Sequence, residues 1–209
     1  MAKIIKKSPE RKKIIIFDNY TNRYLSKKVF NENEMIEILC PGEGRQLEYI
    51  YISFEVITKS IIEIFNGNFT NFYYIALIKI IQPKVILTFT EPNFAFYKIA
   101  KKLTKKYKFI IIQLSHGTLF EYSEKDLKKI YTQEFLCLNK FTVDHWSSLG
   151  VKVEKYTVVG SINLSLAEQN LSLNDTSRKH ENPYICVIAG AMPKAAPSLN
   201  NFVLEQLYE

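Results

Sequence analysis

The chain has 209 residues, 47% hydrophobic and 23% charged, which is enough apolar material for a sizeable core and excludes wholesale disorder. Its net charge of +7 is spread over scattered lysines with no nucleic-acid motif beside them. The charge therefore reads as solvated faces or as attraction to anionic partners such as nucleotide-sugars and phospholipid headgroups, and no nucleic-acid partner is expected.

The N-terminus "MAKIIKKSPERKK" is a basic lead-in over residues 1–12, too short in its apolar part for a signal segment. "KKIIIFDNY" (12–20) is an apolar, β-branched run that stops at Asp18-Asn19, the pattern of a strand buried on both faces. "EMIEILCPGEG" (34–44) predicts a second strand closed by Pro41-Gly42. In "YISFEVITKSIIEIF" Phe54, Ile57, Ile61 and Phe65 recur at helical spacing, and Asn66-Gly67 ends the helix. "NFYYIALIKIIQP" (71–83) is apolar nearly all round and predicts a buried helix ended by Pro83.

"KVILTFTEP" (84–92) is a third strand. "NFAFYKIAKKLTKKY" (93–107) is an amphipathic helix with Phe96, Ile99, Ala100 and Leu103 on one side. "KFIIIQLS" (108–115) is a fourth strand, "SEKDLKKIY" (123–131) a short helix capped by Ser123, and "EFLCLN" (134–139) a fifth strand. "TVDHWSSLG" (142–150) predicts a helix capped by Thr142 and stopped by Gly150, and "KYTVVGS" (155–161) a sixth strand. Residues 163–182 are polar and Ser/Asn-rich, a linker. "PYICVIAG" (183–190) opens a new buried strand, followed by the small-residue loop "GAMPKAAPS" and a helix over 198–209.

Alternating helices and strands that are apolar on both faces predict an α/β fold with a Rossmann-like parallel sheet covered on both sides. The expected division is a first domain over 1–162, the linker, and in 183–209 the first strand-helix unit of a second, incomplete Rossmann-like domain. Cys40, Cys137 and Cys186 sit apart in apolar runs, as free thiols in a reducing compartment do. No apolar run approaches the ~20 residues of a membrane span. The expected location is cytoplasmic, with room for a place at the inner face of the membrane.

Ligands of parallel sheets bind where strands end at their carboxyl side. The informative positions are then Asp18-Asn19, Thr90-Glu91 with Asn93, Ser115-His116-Gly117-Thr118, Asn139 and Gly160-Ser161. His116 is the candidate general base, since an imidazole titrates near working pH, and Gly117 lets the backbone turn close to a ligand. Glu91 could orient an acceptor hydroxyl or serve only as a helix-start acid. His145, beside Trp146, reads as a packing or surface residue, and His180 as inert. Gly190 and Ala191 stand where a donor loop would begin. Neither a Ser-His-Asp order nor Cys/His metal spacing is present, so no metal or other cofactor is expected.

"LSHGT" followed by "YTVVGS" resembles a pair of signatures in bacterial surface-polysaccharide transferases of the glycosyltransferase B fold. "HGT" is similar to the "HGTP" of CDP-glycerol glycerophosphotransferases, and "VVGS" to their "GxP" or "GSP" element. "VILTFTEPNFAFYKIAKK" resembles the "TFxDN" strand-helix unit of surface carbohydrate biosynthesis proteins, with Glu91-Pro92-Asn93 where those carry Asp-Asn. The likeness spans residues 84–162 and departs at Leu119 and Ile162, where those families carry proline. It implies transfer of a sugar from a CMP- or CDP-linked donor to a glycan or lipid-linked hydroxyl, without metal and with His116 as base. Glu91, Asn93, Ser115, Gly117, Thr118 and Asn19 would shape the acceptor site, and Gly160 and Ser161 the domain junction. The alternatives are a glycerophosphotransferase, a non-catalytic truncated domain that binds an acceptor or partner, and, more weakly, a nucleotide-sugar epimerase.

Overall fold

A computed structural model describes residues 3–18, 28–39, 49–89, 93–114, 123–162 and 164–165. The chain divides into two compact units, Met1–Leu171 and Ser172–Glu209, and every described residue belongs to the first.

Six strands form one wholly parallel sheet: β2 (Ile14–Asp18), β3 (Met35–Leu39), β5 (Val85–Thr88), β6 (Lys108–Ile112), β7 (Tyr131–Cys137) and β8 (Lys152–Val158). Their order across the sheet is β3-β2-β5-β6-β7-β8. A separate parallel pair joins β1 (Lys3–Ile5) to β4 (Tyr49–Tyr51). Five helices are described: α1 (Phe54–Phe65), α2 (Phe72–Ile81), α3 (Phe94–Leu103), α4 (Glu124–Leu127) and α5 (Lys140–Ser148). The α/β class and the Rossmann-like parallel sheet are as the apolar runs predict.

The chain leaves β2 for β3 on one side and returns to the other side of β2 with β5, so the direction of winding reverses there. Parallel crossovers keep one hand, so connections before and after a reversal lie on opposite faces. The packing agrees. Phe30, from the β2–β3 connection, packs with Ile16, Leu87 and Ile112 on one face. Helices α2, α3 and α5 pack on the other, against Ile15, Phe17, Ile86, Phe109 and Phe135.

Phe96 of α3 is the aromatic centre of that larger core. Its ring lies 5.6 Å from Phe17 and 5.5 Å from Phe109, both edge-on. Helix α2 is buried along most of its length, as its all-round apolarity requires. It ends with Gln82 in the left-handed region at φ 53°, whose N–H still reaches the Ile78 carbonyl before Pro83. Helix α1 ends as expected at Gly67, whose φ of +80° suits glycine.

Several boundaries differ from the sequence reading. The basic lead-in contains β1, which pairs with β4 and gains its order from that partner rather than from its own pattern. Strand β7 starts at Tyr131 and β8 at Lys152, each three residues earlier than expected, because the two strands pair from Tyr131↔Lys152 onward. The cap of α5 is Asn139, not Thr142: the Asn139 Oδ1 accepts from the Thr142 N–H at 3.0 Å and from its hydroxyl at 3.2 Å. Ser123 caps α4 as expected, but that helix stops at Leu127. Among the described residues, no helix is long and apolar enough to cross a membrane.

Candidate functional site

In open parallel sheets the ligand crevice lies outside the carboxyl ends of the two strands where the order reverses. Here those strands are β2 and β5. Asp18 ends β2 and is only 7% exposed. Its carbonyl accepts from the Phe89 N–H at 3.1 Å and the Thr88 hydroxyl at 3.3 Å. Its carboxylate Oδ2 accepts from Asn93 Nδ2 at 2.9 Å. The Asn93 Oδ1 in turn accepts from the Phe96 N–H at 3.0 Å and caps α3. One asparagine thus ties a buried carboxylate to a helix N-terminus, where the helix dipole favours negative charge. Tyr74 stands close by: burial first, and the Asp18 charge second, push its hydroxyl pKa up.

Strand β6 adjoins β5 and ends at the middle of the same edge. Beyond it the Gln113 N–H donates to the Leu136 carbonyl at 2.9 Å, and the Gln113 Oε1 accepts from the Leu138 N–H at 3.0 Å. Gln113, 2% exposed, therefore prolongs the β6–β7 pairing to two residues before the Ser115–Thr118 motif. Gly160 turns the chain after β8 at φ +77°, and the Ser161 Oγ accepts from the Leu164 N–H at 3.2 Å.

Of the residues picked from sequence, Asp18, Asn93, Asn139, Gly160 and Ser161 are described, Asn139 as the cap of α5. His116, Ser115, Gly117, Thr118, Glu91, Asn19, Gly190 and Ala191 lie outside the described residues. The structure brings Asn93 to Asp18. It does not bring Asn93 to Ser161: β5 and β8 are three strand spacings apart, about 14 Å at ~4.8 Å each. Gly160-Ser161 sits at the end of the edge strand, away from the reversal. His145 stacks on Phe141, with ring centroids 6.0 Å apart, in keeping with a packing role.

Sequence reasoning missed two features. Gln113 carried a signal, a polar residue closing an apolar run, that went unused. The second lies at the opposite, amino-terminal edge, where an open concavity of about 690 Å³ is lined by Lys84, Lys105, Lys106, Lys108 and Lys155 around Glu134. Glu134 accepts from Lys108 at 2.6 Å, from Lys155 at 3.2 Å and from the Thr157 hydroxyl at 3.0 Å. The Lys108 hydrogen bond, with help from Lys155 and Thr157, outweighs burial and holds its carboxyl at about 2. Among the described residues no group of three or more His, Cys, Asp or Glu side chains is placed to hold a metal ion.

Comparison with models of protein families, with curated proteins and with solved structures finds no match for this chain.

Proposed function

We propose that this chain is the acceptor-side part of a glycosyltransferase B-type enzyme of cell-surface polysaccharide biosynthesis, such as capsule or lipopolysaccharide. His116 is its general base. The observation that supports the reading is the wholly parallel sheet. Strands β2, β5, β6, β7 and β8 run one way, so every strand end picked from sequence belongs to one edge, and β6, which leads to His116, adjoins the reversal at β2 and β5.

In this reading the His116 imidazole takes the proton of an acceptor hydroxyl. The oxygen attacks the anomeric carbon of a CMP- or CDP-linked sugar, and the electron pair of the broken bond leaves with the nucleotide phosphate. Asn93 and Asp18 form the wall of the crevice beside the acceptor. The acceptor is a glycan or a lipid-linked glycan, and the lysine-rich surface suits a protein peripheral to an anionic membrane.

A binding-only domain is the second reading, and one observation favours it. Asn93 commits one end of its amide to Asp18 and the other to the α3 cap, so this pair can shape a pocket without touching a reacting atom.

Titration of the full chain with CDP-, CMP-, UDP- and GDP-linked donors, alongside turnover assays of His116→Ala, tests the proposal. Loss of transfer in folded His116→Ala is the expected result, and saturable binding of one donor would name the nucleotide and mean that the chain carries a donor pocket of its own. Undiminished transfer by that variant refutes the role of His116. Absence of donor binding by the folded chain supports an isolated acceptor-side domain whose chemistry needs a donor-binding half.

A further inference from the structure

Helix α1 is built inside out. Its inward side, against α2, carries Val56, Ser60 and Glu63, all buried. Glu63 is 2% exposed, and its carboxylate is held by Lys79 at 2.5 Å and by Asn68 Nδ2 at 2.8 Å. The outward side carries the apolar stripe. Phe54 and Phe65 are each 86% exposed, and Ile57, Ile61 and Ile62 about half exposed. An amphipathic helix normally turns this stripe to the core. Here a specific ion pair anchors the polar side inward, so the apolar side is presented rather than left over.

The stripe is self-complementary. Its members Phe54, Ile57, Thr58, Ile61, Ile62 and Phe65 are symmetric about the midpoint between Lys59 and Ser60. Laid antiparallel on its own copy, the helix matches Phe54 with Phe65, Ile57 with Ile62, and Thr58 with Ile61. A two-fold interface demands this property. Thr58 fits an apolar seam because its hydroxyl already donates to the Phe54 carbonyl at 2.8 Å. Glu55 and Lys59 balance each other beside the seam at 3.9 Å.

Size agrees with a dimer. With a phenylalanine worth about 200 Å², the five apolar side chains present roughly 600 Å², at the top of what monomers expose and near the ~800 Å² per partner of a standard interface. Phe69, 71% exposed just beyond the helix, enlarges the patch. A lipid surface fits less well. Helices that lie on anionic membranes carry lysines and arginines beside the apolar face, whereas the one lysine of α1, Lys59, is balanced by Glu55.

We propose that the outer face of α1 is a homodimer interface, two copies packing antiparallel about the Lys59–Ser60 midpoint. The partner is a second copy of this chain, and the interface is independent of the reaction the chain performs.

Sedimentation equilibrium of the full chain tests this. The mass rises with concentration from 24.4 kDa toward twice that value. Ile61→Glu, at a position about half exposed in the free chain, gives a monomer at every concentration with an unchanged circular dichroism spectrum. Thr58→Lys, across the two-fold axis, has the same effect and serves if Ile61→Glu does not fold. A monomeric wild type, or a dimer indifferent to the folded variants, overturns the proposal. So does a monomeric wild type that floats with phosphatidylglycerol vesicles through this face, an association that Ile61→Glu would abolish.

Discussion

Asn93 holds two structural roles that separate substitutions resolve. In Asn93→Ala the α3 cap is lost, which costs about 1 kcal/mol. The Asp18 carboxylate, 7% exposed, also loses the hydrogen bond from Nδ2, which adds about 1–3 kcal/mol for a buried acceptor left short of a donor. The expected destabilisation is therefore about 2–4 kcal/mol, read as a fall in urea midpoint at constant slope. Asn93→Asp keeps the cap, because aspartate serves that position as well as asparagine does. It also sets a second carboxylate against Asp18. One carboxyl of the pair then has a folded pKa above its unfolded value, so the variant is closest to wild type below about pH 4 and loses stability as pH rises toward 7. Asp18→Asn in that background removes the repulsion and restores stability at pH 7. An Asn93→Ala loss below about 0.5 kcal/mol, or an Asn93→Asp deficit that does not grow with pH, would refute the assignment of both roles.

Glu134, held at about 2 by Lys108 and Lys155, contributes stability that is present above its unfolded value near 4.5 and is lost as pH falls from about 5 toward 2. The full shift corresponds to about 3 kcal/mol, but both lysines are at least half exposed, and screening brings the expected contribution nearer ~1 kcal/mol. Glu134→Gln should remove that part of the acid sensitivity, and acid titrations at low and high salt would show it. The Tyr73 hydroxyl accepts from the Tyr51 N–H at 2.8 Å, and burial pushes its pKa up to about 12. Its protonated form thus supports the fold up to the unfolded value of ~10, and that support is lost as pH rises through 12. The ultraviolet titration should contain one tyrosine near pH 12 that vanishes in Tyr73→Phe.

Where burial is complete the sequence speaks clearly, because apolarity alone fixes the element. Ile15, Ile16 and Phe17 in β2, Phe109 and Ile111 in β6, and the core side of α3 are all at or near zero exposure, and all were legible. Partner-dependent order was not. Strand β1 is three residues, the first two exposed, and forms only because β4 is there, a pairing 46 residues away in register. The reversal between β2 and β5 was invisible for the same reason: local pattern says that strands are parallel, not in which order they lie. The Asp18–Asn93 pair joins two strand ends that each looked informative, yet neither pattern said that they meet.

Helix α1 shows how periodicity can identify an element and still leave its orientation open. The spacing of Phe54, Ile57, Ile61 and Phe65 is correct for a helix, and the helix is there. Which side faces inward depended on Glu63, the buried one of the helix's three charged residues, whose partner Lys79 lies 16 residues on. Once α2 supplies that lysine at the surface of the core, turning Glu63 outward would leave the partly buried ammonium of Lys79, 35% exposed, without its partner. Turning the two phenylalanines inward would require that sacrifice. The ion pair therefore selects the orientation, the apolar stripe follows it outward, and the same choice that stabilises the α1–α2 hairpin creates a surface needing a second chain.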